Sequence, residues 1–295
     1  MSNLNISRAE RLDQRVVALM PLLSRSFATK LINDGKVSVN GAVTTKAGTK
    51  LHEGDVVFID YDHNEFVIPE IEIPTVFEDP DCVVIIKPVG LLTHSKGAFN
   101  PEASVATWLH NRIEDKTLIE VDEHQPNQRA GIVHRLDRAT SGVMIAAKTA
   151  KSLTWLQKQF AQRKVKKVYI AVVTGHLAQP EAIIDMPIER NPKAPATFRA
   201  GANGKSATTH YVVLDTSEHY SLVELRPETG RTHQLRVHLA HLGHPIVGDV
   251  LYSGQEAPRL FLHARSLEIT VPSRERLTFE APLPAEFEEL LEHDR

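Results

Sequence analysis

Six short apolar or alternating runs fall between Val83 and Thr270: Val83–Lys87, Val143–Ala147, Val168–Thr174, Thr208–Asp215, Leu222–Leu225 and Leu267–Thr270. Only two stretches there have helical periodicity. A parallel sheet needs a crossover helix between successive strands, and this region has too few. The pattern therefore predicts an α+β domain built on a largely antiparallel, mixed sheet. The expected helices are Ala150–Arg163, with Leu153, Leu156 and Phe160 on one face, and Thr232–Leu242, capped by Thr232 and stopped by Gly243.

A smaller unit precedes it. Leu12, Val16, Leu19 and Met20 share a helix face, and Ser24 is placed to cap a second helix, Arg25–Asn33, that Gly35 ends. Val37 and Val39 alternate before Asn40-Gly41, a strong hairpin signal, and Val56–Ile59 reads as another strand. The expected organisation is a first domain at 1–62, an acidic linker at 63–74 and a second domain at 75–295.

Net charge is −3, which by itself argues against a polyanionic partner, but the charge is segregated. Asp60–Asp81 holds eight acids and no Lys or Arg, whereas Gly131–Gly175 holds nine Lys or Arg and one acid, Asp137. Arg276–Arg295 is acidic again, with six acids against two arginines. Local field, not the sum, attracts a polyanion. No run approaches the roughly 18–20 apolar residues of a membrane span, and the first residues do not read as a secretory signal. A single cysteine, Cys82, allows no internal disulfide, and a cytoplasmic setting is the simplest expectation.

Four ordered blocks carry the chemistry. His134-Arg135-Leu136-Asp137-Arg138-Ala139-Thr140-Ser141-Gly142 is a polar loop entering a buried strand; from spacing alone its lone Asp is a loop cap or salt-bridge partner as readily as a catalyst. The segment resembles the HRLD-x-x-TSG block of RluA-type RNA pseudouridine synthases. Lys87-Pro88-Val89-Gly90-Leu91 is similar to that family's KPxG block. Lys167-Val168-Tyr169-Ile170-Ala171-Val172-Val173-Thr174-Gly175 is similar to its KxYxAxVxG strand. Thr229-Gly230-Arg231-Thr232-His233-Gln234-Leu235-Arg236 is similar to its TGRTHQ(L/I)R block, and Leu262-His263-Ala264 also fits. Residues 1–62 resemble an S4 RNA-binding (α-L) domain through Arg11-Leu12-Asp13, Ser24-Arg25-Ser26 and Gly35-Lys36-Val37-Ser38-Val39-Asn40-Gly41. That layout is shared with the RluC and RluD branches.

The resemblance implies an isomerase that turns uridine into pseudouridine in structured RNA, with large-subunit ribosomal RNA favoured over transfer RNA. The rival reading is a protein that holds RNA without chemistry. Asp137 would act on the uridine, Arg231 would pair with it in a dry pocket where an unpaired carboxylate is disfavoured, and Tyr169 would face the base near C5. Arg135 would fill the gap left by a flipped base, with Arg138, Lys87 and Lys167 in the RNA-contacting set. Arg25, Lys30 and Lys36 would meet phosphates from the S4 domain. Neither cofactor nor metal is implied, and a monomer is the default. His233, His238, His241 and His244 invite a metal reading, but no Cys or carboxylate joins them in that segment, so surface histidines near a helix end are expected instead. Cys82 is expected to be a buried structural thiol.

Overall fold

A computed structural model describes residues 10–20, 25–61, 69–94, 102–110, 112–113, 115, 118 and 131–295. The Ser24 cap, the first residues of the chain and much of the acidic linker lie outside these. The chain separates into two compact units. The second holds Glu72–Thr93, Arg112–Leu118 and Gly131–Arg295, and the remaining described residues go with the first.

In the first unit, β1 (Glu10–Arg11) leads into α1 (Leu12–Leu19), followed by α2 (Arg25–Asn33). β2 (Val37–Val39), β3 (Ala42–Val43) and β5 (Val57–Ile59) form a sheet in the order β3-β2-β5, while β4 (Lys50–Leu51) pairs with β1. Asn40 and Gly41, at φ of 50° and 81°, make the turn that joins β2 to β3. Leu12, Val16, Phe27, Leu31, Ile32, Val37 and Leu51 are buried together. The buried Asp13 carboxylate accepts from Arg11 Nε and Arg25 Nε, each at 2.9 Å. Burial opposes its ionisation, but the two arginines prevail and hold its carboxyl below the usual range. Lys30 is exposed, and the exposed Lys36 reaches Asp60 at 3.3 Å. A short helix, α3 (Val105–His110), buries Val105, Trp108 and Leu109.

The second unit is an α+β domain. Its strands are β6 (Thr75–Glu78), β7 (Cys82–Lys87), β8 (Ser141–Ala147), β9 (Lys166–Thr174), β10 (Glu181–Asp185), β13 (Thr208–Thr216), β14 (Tyr220–Pro227), β15 (Leu262–Thr270) and β16 (Arg276–Glu280). Among the described residues they form one nine-stranded sheet in the order β10-β13-β14-β9-β15-β8-β7-β6, with β16 on β15. Every pairing is antiparallel except β8 with β15. A small hairpin, β11 (Ile188–Arg190) with β12 (Phe198–Ala200), stands apart. β8 is buried at all seven positions, as its continuous apolar run requires.

On one edge β15 meets β9. On the other it pairs first with β8, at residues 263–264, and then with β16, at 266–270. The fork begins where Gly142 passes Ala264. Gly142 has φ of 120°, and a Cβ there would lie 2.2–2.7 Å from Ala264 backbone atoms.

Helix α4 (Ala150–Ala161) opens with a capping box between Thr149 and Ser152. Helix α5 (Gln234–His241) starts later than expected. Its N-cap is His233, at φ of 56° and with no side-chain cap bond, so Thr232 is not the cap. Helix α6 (Glu286–His293) buries Phe287 and Leu291 and was not anticipated. Among the described residues no helix is long and apolar enough to cross a membrane. Cys82 is free and fully buried, and its thiol is pushed up to about 12 by burial and by Asp79.

Candidate active site

Asp137 sits in the loop that enters β8, and three anchors fix that loop from below. Thr93 Oγ1 donates to the Leu136 carbonyl at 2.7 Å. Gly90 N–H donates to the Arg138 carbonyl at 2.9 Å. Lys87 Nζ donates to the carbonyls of Pro88, Leu91 and Arg138 at 2.9, 2.8 and 3.2 Å. His134 accepts from Ile145 N–H at 3.1 Å and stacks on Phe160. Burial holds its ring neutral, with its pKa lowered to about 3.

This arrangement corrects the expectation for Lys87. The side chain is 0% exposed, so it cannot contact RNA. It staples the Asp137 loop instead. Burial pulls its ammonium down to about 7, but three carbonyls match the three donors of an ammonium, whereas a neutral amine would leave one facing a lone pair.

The arginine facing Asp137 is Arg236, not Arg231. Arg236 Nη1 lies 3.5 Å from Asp137 Oδ2, while Arg231 Nε donates to the Ser206 carbonyl at 3.0 Å. The reason lies in the local chain path. Gln234 Oε1 accepts from Thr229 Oγ1 at 2.7 Å and from Arg231 N–H at 3.0 Å, which fastens the turn ahead of α5. Residues 233 and 236, three apart, then share the face turned to Asp137. Both arginines stand in one sequence block, and only the helix phase distinguishes them.

Arg236 is itself held by Asp249 through a two-pronged pair, Nε–Oδ2 and Nη2–Oδ1, both 2.7 Å. Burial works against its charge, yet Asp249 outweighs burial and raises its pKa. The guanidinium also lies 5.0 Å over the ring of Tyr252. Tyr252 Oη accepts from Phe198 N–H at 2.9 Å and lies 2.8 Å from His233 Nδ1. With its oxygen engaged by Phe198, the phenol proton is available to Nδ1. When the phenol donates to Nδ1, the His233 proton sits on Nε2, 3.8 Å from Asp137 Oδ2. Burial, more than any neighbouring charge, keeps His233 below its ordinary pKa. Asp249 and Tyr252 were invisible in the sequence because no spacing connects them to the four blocks.

Asp137, His233 and Arg236 line a cavity of about 130 Å³, together with Arg135, Lys167, Tyr169, Thr229 and Arg231. Burial first and the Asp137 charge second push the Tyr169 phenol well above its usual range, so it stays protonated. Lys167 donates to the Thr229 carbonyl at 3.1 Å, and burial lowers it to about 8. Arg135 is exposed and reaches the cavity wall, and Arg138 is exposed just beyond Asp137.

The histidines part company. His238 is fully buried rather than on the surface, with its ring nitrogens 3.0 Å from Thr209 Oγ1 and from the Met186 carbonyl. His244 is bonded to the Thr174 carbonyl. Among the described residues no group of three or more His, Cys, Asp or Glu side chains is placed to hold a metal ion.

A family model described as RNA pseudouridylate synthase matches residues 81–241, and an S4 domain model matches residues 10–57. The chain is 36% identical over 303 residues to the ribosomal large subunit pseudouridine synthase D of Escherichia coli (strain K12), covering 96% of this chain and 90% of that protein. It is 35% identical to the protein of the same name from Pseudomonas aeruginosa, covering 94% and 90%. Among solved structures, human RNA pseudouridylate synthase domain containing 4 superposes with a TM-score of 0.57 at 28% identity, over 74% of this chain and 92% of that one. Human RNA pseudouridylate synthase domain containing 1 gives a TM-score of 0.54 at 28% identity, over 73% and 86%. The second unit's sheet, the Asp137 loop and the matched blocks therefore make this chain a member of the RNA pseudouridylate synthase family.

Proposed function

We propose that this protein isomerises uridine to pseudouridine in large-subunit ribosomal RNA, with Asp137 as the essential carboxylate. The observation that carries the reading is the placement of Asp137 beside a guanidinium already fixed by Asp249, with Tyr169 on the same cavity wall. Arg236 needs no reorganisation to support a carboxylate there, the condition for electrostatic catalysis. A protein that merely held RNA would have no use for this set.

The reaction breaks the C1′–N1 bond, turns the base and joins C5 to C1′. C5 then loses a proton and N1 gains one. Asp137 supplies negative charge to the electron-poor centre as the first bond opens. Tyr169, held as a neutral phenol, serves as a ring platform for the base and a hydrogen-bond donor, which leaves the C5 proton to a stronger base such as the released carboxylate. Arg135, at the cavity mouth, fills the stack that the uridine vacates. Arg25, Lys30 and Lys36 of the first unit contact phosphates and position the RNA. The enzyme works as a cytoplasmic monomer without a cofactor, where ribosomal RNA is accessible.

Asp137→Asn preserves shape and removes the charge. We expect this variant to fold and bind RNA like the wild type while pseudouridine formation falls by at least about 10³-fold. Turnover within tenfold of wild type in a single-turnover assay would remove Asp137 from the chemistry.

A further inference from the structure

A second cavity, of about 470 Å³, adjoins the first and shares Arg135, Lys167, Tyr169 and the Thr229–Arg231 turn with it. Its own walls add Phe160, Arg163 and Glu228. The volume lies within the roughly 300–1,000 Å³ of small-molecule sites.

Three features of its lining point to an anionic, aromatic-seeking occupant. Arg163 and Lys167 line it together, and after burial it is the arginine's charge that disfavours that of the lysine. Among the described residues Arg163 forms no salt bridge, and Glu228 is an exposed rim residue. Arg163 also ends α4 with φ of 56°, a left-handed position that favours glycine. A side chain there carries a local conformational cost, although its charge is favoured beside the helix C-terminus. Phe160, stacked on His134 at 4.5 Å, adds an aromatic wall. Cations that track a backbone and an aromatic face beside them are the two parts of single-stranded nucleic-acid recognition.

We propose that this cavity seats the nucleotide next to the target uridine, with its phosphate on Arg163 and Lys167 and its base against Phe160. The inference rests on the RNA-modifying reading of the neighbouring site. It makes Arg163 a residue that sets which flanking geometry is accepted, acting on binding rather than on the chemical step.

The test uses the full-length enzyme and a short stem–loop cut from the RNA that it modifies, with a neutral methylphosphonate replacing each phosphate near the uridine in turn. At one flanking linkage, neutralisation should raise KM roughly tenfold with kcat unchanged. Arg163→Gly should raise KM similarly on the native stem–loop while raising Tm, since glycine relieves the left-handed helix end. The two changes together should give little more than either alone. Independent, multiplying effects at every flanking linkage would overturn the assignment, as would an unchanged KM for Arg163→Gly. If the wild type forms pseudouridine in no RNA, the catalytic reading itself fails. If RNA is modified but no linkage couples to Arg163, only the cavity assignment fails.

Discussion

His233 adopts a backbone conformation that its side chain disfavours, and the site around it explains why. At φ of 56° it caps α5 without a side-chain cap bond, a strain of order 1–3 kcal/mol. In exchange, its ring sits between Tyr252 Oη and Asp137. Tyr252→Phe deletes the hydroxyl hydrogen-bonded to the imidazole and leaves the ring against Arg236. We expect kcat to fall about tenfold with KM unchanged, the pattern of a lost orienting contact. Because burial holds His233 below its ordinary value, wild-type kcat should stay level through the usual imidazole range near pH 6.5 and fall only below it. An unchanged kcat in Tyr252→Phe would assign the hydroxyl a purely structural role. At this scale the meeting of Asp137 and Tyr169 at one cavity was legible, because they belong to blocks whose order is hard to produce by chance. The partner of Asp137 was not, since two arginines in one block differ only by helix phase. Lys87 was misread because charge on a page says nothing of burial.

Elements were easier to read where period and punctuation agreed. β7, β8, β9, β13, β14 and α4 follow directly from apolar runs and capping residues. The extended β15, the short β10–β12 strands and α6 were missed or cut short, since their polar positions interrupt any period and their burial comes from tertiary neighbours. The junction of β8 with β15 depends on one absent side chain. Gly142→Ala places a Cβ against Ala264 backbone, which cannot swing aside as a side chain would. We expect a loss of about 3 kcal/mol or more in urea unfolding. Gly90→Ala, also at positive φ but with nothing within 4 Å of the added carbon, is the control and should cost only about 1 kcal/mol. Equal losses in the two variants would show that conformation, not the close approach, makes Gly142 necessary.

For the molecule as a whole, a net charge of −3 conceals a basic active-site wall and a first unit whose Arg25 and Lys36 are already engaged by Asp13 and Asp60. That unit should therefore add position more than raw attraction. Deleting residues 1–62 is expected to weaken binding to long RNA about tenfold and to flatten its salt dependence, while leaving turnover of a short stem–loop nearly intact. Equal affinity for long RNA after the deletion, measured by filter binding across salt concentrations, would remove the docking role. The sequence led us to expect one cut at the Pro-punctuated acidic stretch, whereas the described residues of His94–Asn111 group with the first unit, a return of the chain that no local pattern announces.

β15 runs from Leu262 to Thr270, yet it is the strand that joins β9 to β8 and so brings Tyr169 and Asp137 to one place. Asp137, Tyr169, His233, Arg236, Asp249 and Tyr252 all leave the translating ribosome before it does. Until β15 has emerged, a nascent chain therefore carries these side chains with its two half-sheets still unjoined.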